Sequence, residues 1–154
     1  MKEYRPSSTY KRVWFITGSS EGLGRALTEL VLAQGERAVV TARSPEALRH
    51  LIERYPAQAL ILELDVARRD QVRSAVGQAI ERFGGIDVLV NNEGFSDTVG
   101  QELASLGMKV MIVEPGSVNG HRPGDFGAAA EAIIAAADEG VEPGGGPPKV
   151  QGPR

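Results

Sequence analysis

Apolar positions along this chain change their period several times, and each change predicts an element. Residues 13 to 17 (VWFIT) make a short unbroken run of apolar or β-branched side chains that stops at glycine, the pattern of a strand buried on both faces. From Gly22 the period moves to near four. Leu23, Leu27, Leu30 and Val31 share one face and Gly35 stands just past the end, which predicts a helix with its C-cap. Ala38 to Thr41 reads as a second short strand. Ser44 then offers an N-cap and Pro45 a first helical position, and Leu48, Leu51, Ile52 and Tyr55 repeat at helical spacing until Pro56 stops the run.

The alternation continues through most of the chain. Ala59 to Leu64 predicts a third strand bounded by Asp65, and Asp70 to Phe83 a helix burying Val72, Val76, Ala79, Ile80 and Phe83 before Gly84-Gly85. Asp87 to Val90 is a fourth strand ending in Asn91-Asn92. After Gly94, Phe95 and Ser96 comes a short helical pattern with Val99, Leu103 and Leu106 on one face, capped by Gly107, and Val110 to Val113 is a fifth strand. That crossover is about as short as a right-handed βαβ unit allows. A loop from Glu114-Pro115-Gly116 leads to Asp125, which caps an alanine-rich helix through about Asp138 with Ile133 and Ile134 buried. Strands alternating with helices on short connections predict a parallel sheet covered on both faces, the α/β class.

Composition sets bounds on this picture. The 154 residues suit one domain, and 42% apolar with 24% charged residues is the composition of a soluble globular protein. Residues 1–11 mix charge with Ser and Pro and read as a flexible leader, residues 12–140 as the domain, and the Pro/Gly-dominated stretch 141–154 as a disordered tail. Nineteen glycines exceed the usual share and must be absorbed by turns and tail. Without cysteine, disulfides, thiol nucleophiles and thiolate metal sites are excluded. The polar N-terminus and the absence of a long apolar run make a cytoplasmic protein the expectation, with no membrane partner. A formal net charge of −3 gives no general attraction to nucleic acid.

The candidate chemistry begins where the first strand meets the first helix. In VWFITGSSEGLG the glycines at 18, 22 and 24 let a backbone approach a pyrophosphate closely, and the helix that follows points N–H groups at it. The alternative is a tight turn with no ligand. Arg43 directly follows the second strand, where an acidic side chain would meet the 2′-OH of NAD and an arginine the 2′-phosphate of NADP; here Ala42 occupies the acid's place. A solvated arginine near a helix start is the other reading. Asp65-Val66 after the third strand could meet an adenine or simply end the strand. In Asn91-Asn92-Glu93-Gly94, Asn side chains tie loop backbone and Gly94 keeps a path open.

Taken together, TGSSEGLG (17–24), TAR (41–43), LDV (64–66), NNEG (91–94) and EPG (114–116) resemble successive landmarks of the short-chain dehydrogenase/reductase (SDR) family, across about residues 11–140. The resemblance implies a Rossmann-like three-layer fold with a reduced parallel sheet of about five strands, order 3-2-1-4-5. It implies that Gly18, Ser20, Glu21, Gly22, Leu23 and Gly24 hold the pyrophosphate and ribose, and that Arg43 holds the 2′-phosphate. Asp65 and Val66 would then meet the adenine, Asn91 and Gly94 the ribose side, and Pro115 and Gly116 the nicotinamide end. NADP(H) is favoured over NAD(H). Glu93, within the ribose-side turn, stands where the family usually has alanine, and a carboxylate there opposes a polyanionic cofactor unless it turns to solvent. Gly120 replaces a cofactor-contacting threonine.

The resemblance also implies an oxidoreductase that moves a hydride between cofactor and a carbonyl or alcohol, using a tyrosine, a lysine four residues on and a serine. Tyrosines occur here only at 4, 10 and 55, none followed by lysine at the fourth place. Ser96 to Leu106 looks like the remnant of the family's catalytic helix joined directly to NNEG, so an internal deletion that removes the catalytic region and the oligomer-forming helices is the expectation. No catalytic residue is assigned, and no family-type homo-oligomer is expected. His121 in the last loop and Ser96, Ser105 and Ser117 lack a partner and read as solvated, capping or turn residues. His50 and His121 lie on separate elements without a carboxylate cluster, so no metal is expected. The readings are an SDR-like NADP(H)-binding protein impaired in catalysis, a non-catalytic nucleotide-binding module, or a truncated or defective relative that binds no cofactor.

Overall fold

The computed structural model describes residues 11–20, 22–92, 97–114, 126–140 and 149–151. Its elements run β1 (Val13–Ile16), α1 (Gly22–Ala33), β2 (Arg37–Ala42), a 3-10 turn (Pro45–Leu48) continuing into α2 (Arg49–Arg54), β3 (Ala59–Glu63) and α3 (Arg69–Phe83). They continue with β4 (Val88–Val90), α4 (Thr98–Ser105), β5 (Met111–Glu114), α5 (Phe126–Gly140) and β6 (Lys149–Gln151). α1, α3 and α4 give way to Gly35, Gly84 and Gly107, each with positive φ, at the stops expected from the sequence.

All strands are parallel in the order β3-β2-β1-β4-β5-β6. The expected order 3-2-1-4-5 is present, and β5 pairs directly with β4, Val90 opposite Val113. One correction concerns residues 149–151, which the sequence assigns to a disordered tail. They form β6 beside β5, with Val113 opposite Val150. An outer strand presents a row of N–H and C=O groups that favour pairing, and a three-residue ladder needs no hydrophobic pattern of its own. A second correction concerns Ser44. It is extended (φ −123°, ψ 93°) and makes no side-chain cap bond, because the turn at Pro45 winds as 3-10 and shifts the N–H groups a hydroxyl would meet.

Alternate strand residues feed two cores, as the two-residue period of a strand requires. Trp14, Ile16, Val40, Val88, Val90 and Val113 pack under α1, α2 and α5. Val13, Phe15, Val39 and Leu89 pack under α3 and α4, meeting Val72, Val76, Val99 and Leu103. Trp14, Phe15 and Ile16 are all 0% exposed, so β1 is enclosed on both faces.

At the amino edge of the sheet a buried ion cluster ties three elements. Arg12 Nη2 lies 2.8 Å from Glu36 Oε1, and its Nε donates to Glu36 Oε2 at 2.9 Å. The Arg12 N–H and Trp14 Nε1 also donate to the Glu36 carboxylate, at 3.0 and 3.2 Å. Asp138 on α5 pairs with the same guanidinium at 2.7 Å. Bidentate geometry and several donors per carboxylate are what a buried pair needs to offset desolvation. No helix among the described residues is long and apolar enough to cross a membrane.

Candidate functional site

The strand order reverses at β1. The chain leaves β1 for β2 on one side, builds β3 beyond it, then returns to β4 on β1's other side. In open α/β sheets a crevice opens outside the carboxyl ends of the strands at such a switch point. Among the described residues, the loops after β1, β2, β3 and β4 gather there, with Phe126 of α5 beside Gly22.

The turn from β1 to α1 is built by exclusion. Gly18 and Gly22 have φ of 63° and 61°, the left-handed region that favours glycine. Gly24 is excluded from bearing a side chain by contact rather than by φ. A Cβ there would collide with the carbonyl of Gly18 and stand 2.9 Å from Asn92 Nδ2. The first turn of α1 therefore presses against the backbone of its own entry loop, and the Phe126 ring at the start of α5 stands beside Gly22. Leu23 is buried beneath this turn, while Ser20 is half-buried at its rim.

Polar side chains lock the turn to its neighbours. Thr17 N–H donates to Val90 O at 3.1 Å, and Ser19 N–H to Thr41 O at 3.0 Å, so the loop after β1 is laced to β4 on one side and β2 on the other. Ser19 Oγ and Thr41 Oγ1 both donate to Ile16 O, at 2.9 and 3.0 Å. Asn92 donates through its N–H to Thr17 Oγ1 (2.9 Å) and through Nδ2 to Gly18 O (3.2 Å). Thr17, Ser19 and Thr41 are each 0% exposed. Buried and paired, these groups rigidify the glycine turn.

Of the residues expected from the sequence, Gly18, Ser20, Arg43, Asp65, Val66 and Asn91 lie on the loops at this carboxyl edge, and Gly22, Leu23 and Gly24 form the first turn of α1 beside them. Glu21, Glu93, Gly94, Pro115 and Gly116 lie outside the described residues, as do Ser96, Ser117, Gly120 and His121. Arg43 is exposed directly after β2, and among the described residues no hydrogen bond or ion pair engages its guanidinium. Asp65 takes on a local task. Its Oδ1 accepts from the N–H of Ala67 at 3.0 Å and its N–H donates to Gln71 Oε1 at 2.8 Å, a turn that presents the buried Val66 beside it. Asn91 donates through Nδ2 to Asp97 Oδ1 at 3.2 Å, and its own Oδ1 is buried without a partner among the described residues.

Thr17, Ser19, Thr41, Asp97 and Thr98 are site-building residues absent from the expected set, while Asn92 ties loop backbone as the Asn91-Asn92 turn predicts. For Thr17 and Thr41 the signal in the sequence was a polar residue closing an apolar strand, after VWFI and within AVVTA. Tyr55 follows α2 and precedes β3, at the opposite edge of the sheet, so it faces away from the crevice. Among the described residues no cluster of His, Asp or Glu could hold a metal ion.

Comparison with known proteins places this geometry. A family model described as short chain dehydrogenase matches residues 12–99. The chain is 42% identical over 92 residues to the oxidoreductase BOA17 of Botryotinia fuckeliana, a match covering 59% of this chain and 34% of that protein. The chain thus spans about a third of that relative's length. Among solved structures it resembles a short chain dehydrogenase/reductase from Burkholderia phymatum in complex with NAD (TM-score 0.61, 23% identity, 81% of this chain and 57% of that one). It also resembles a blue fluorescent protein from a metagenomic library in complex with NADPH (TM-score 0.59, 27% identity, 80% of this chain and 64% of that one). With the matched family model spanning more than half of its residues and the sheet order to go with it, this chain belongs to the short-chain dehydrogenase family.

Proposed function

We propose that the chain binds a nicotinamide dinucleotide, NADP(H) in preference to NAD(H), at the carboxyl edge of β1, β2 and β4, and that it descends from oxidoreductases without retaining their catalytic pair. The observation that carries the reading is Gly24. The place of its missing Cβ is taken by the carbonyl of Gly18, which seats the first turn of α1 against the loop after β1 at the carboxyl edge of the sheet, where backbone N–H groups and the helix dipole favour a diphosphate.

The residues present fit such a cofactor. Gly18, Ser20, Gly22, Leu23 and Gly24 line the diphosphate end, Val66 the adenine end and Asn91 the ribose side. The uncommitted, exposed Arg43 suits a 2′-phosphate, for which guanidinium pairing is bidentate and strong. When bound, the nicotinamide would supply a hydride; this chain would bind and orient it. The lack of a Tyr-x-x-x-Lys pair in the sequence supports the loss of turnover. A family-model match that ends at residue 99, a few residues past NNEG, supports a junction there.

Titration with NADPH and NADH, followed by thermal melting, tests the reading. A ligand that binds the folded state raises the midpoint by an amount that grows with the logarithm of its concentration over its Kd. Stabilisation by NADPH over NADH is the expected result, and no shift with either would sink it in favour of a relative that binds no cofactor. Turnover of a carbonyl panel above buffer background would overturn the loss of catalysis.

A further inference from the structure

We propose that the first turn of α4 is a positioning element for the adenine end of the site, with Thr98 setting the place of the Val66 loop; this rests on the cofactor reading above. Thr98 Oγ1 donates to Val66 O at 2.7 Å, a bond between residues 32 positions apart. The rest of the loop is fastened from within its own β3 to α3 connection. Asp65 Oδ1 accepts from Ala67 N–H, Gln71 Oε1 accepts from Asp65 N–H, and Arg68 N–H donates to Asp65 O at 2.9 Å. Leu64 N–H donates to Ala42 O at 2.9 Å and ties the start of the loop to β2. Thr98 is the side chain that holds its middle, at Val66, from across the sheet.

The same turn reaches a second landmark. Asp97 Oδ1 accepts from Asn91 Nδ2 at 3.2 Å, and a Cβ at Gly100 would run into the Asp97 carboxylate, so glycine there reserves the space that carboxylate occupies. Gln101 Oε1 adds a long bond to Arg69 at 3.4 Å. In the sheet β3 and β4 are separated by β2 and β1. Consecutive residues Asp97 and Thr98 nevertheless hold the loops that follow both, bridging above two strands. Asn91 and Val66 are 7% and 5% exposed, so both are held in place by packing as well. An adenosine lying along this edge would meet a surface whose spacing α4 sets.

The test uses the full chain, adenosine 2′,5′-bisphosphate as the adenine-end probe, and amide hydrogen exchange of the unliganded protein. Thr98→Val keeps the shape and removes the hydroxyl. It should weaken the probe about fivefold and speed exchange at Ala67 and Arg68, while Thr17 and Asn92 keep wild-type exchange and Thr98→Ser restores both readouts. Uniformly faster exchange across the sheet, failure of Thr98→Ser to restore, or a loosened loop with wild-type affinity would overturn the proposal. A wild-type chain that binds no probe sinks the cofactor reading itself. In that case exchange decides alone: Thr98→Val that leaves Ala67 and Arg68 at wild-type rates overturns the positioning role, and selective loosening supports it.

Discussion

Asn92 hands its backbone N–H to the hydroxyl of Thr17 at 2.9 Å, and that hydroxyl donates onward to Val90 O at 3.3 Å. Two buried strands, joined here by a bond between residues 73 positions apart, thus close on one side chain, directly beneath the glycine turn. Thr17→Val would leave the Asn92 N–H facing a methyl group. The expected cost is about 1 to 3 kcal/mol of stability, the range for a buried polar group left unpaired, read from the urea midpoint at unchanged slope. Thr17→Ser should retain most of it.

Two glycines give a matched pair of opposite outcomes. Gly24→Ala drives a methyl into the backbone of Gly18, which has no flexible end to yield, and should cost about 3 kcal/mol together with any diphosphate binding. Gly77 sits exposed in the middle of α3 with nothing within 4 Å of an added Cβ, and Gly77→Ala should raise stability by about 0.5 to 1 kcal/mol. Calorimetric melting of both variants checks the signs.

The ion cluster at the far edge should behave as a buried pair. Glu36→Gln leaves the Arg12 guanidinium short of its bidentate partner and should cost about 3 kcal/mol in chemical denaturation. Replacing both partners with apolar residues, Arg12→Met with Glu36→Leu, should recover little of that loss, because the buried N–H of residue 12 and Trp14 Nε1 then lose their acceptor.

Arg43→Ala should discriminate between cofactors. With the guanidinium exposed, its pairing with a 2′-phosphate is partly screened, so NADPH affinity should fall about tenfold while NADH affinity changes less than about twofold. Isothermal titration at fixed salt reads both. Equal losses would assign Arg43 a general electrostatic role.

The fold was legible because its period changes are clean. VWFIT, AVVT and DVLV are too short and apolar to be anything but enclosed strands, and glycine stops each of three helices where the pattern ends. The glycine turn was legible for the same reason, since only a backbone without Cβ explains three glycines at a strand-to-helix joint. The Asn92 to Gly18 and Thr98 to Val66 bonds were not, because they join residues whose proximity exists only after the sheet has formed. Asp65 shows the ambiguity from the other side: its position is read correctly, yet its carboxylate serves a two-residue local turn that sequence position alone does not distinguish from a ligand contact. β6 escaped because backbone pairing leaves no mark on composition.

The strand order has a consequence for how the molecule assembles. β1 with β2, β2 with β3, β4 with β5 and β5 with β6 are all neighbours in sequence as well as in space, each joined by one crossover. The pairing of β1 with β4 alone spans two intervening strands and three helical segments. Loop-closure entropy, small for the other pairs, therefore concentrates in that single seam, and two locally folded halves must dock along it. Because Thr17, Asn92 and the glycine turn lie on the same seam, the crevice exists only once the longest-range strand pairing is made, and any ligand held there acts as a clasp between the halves.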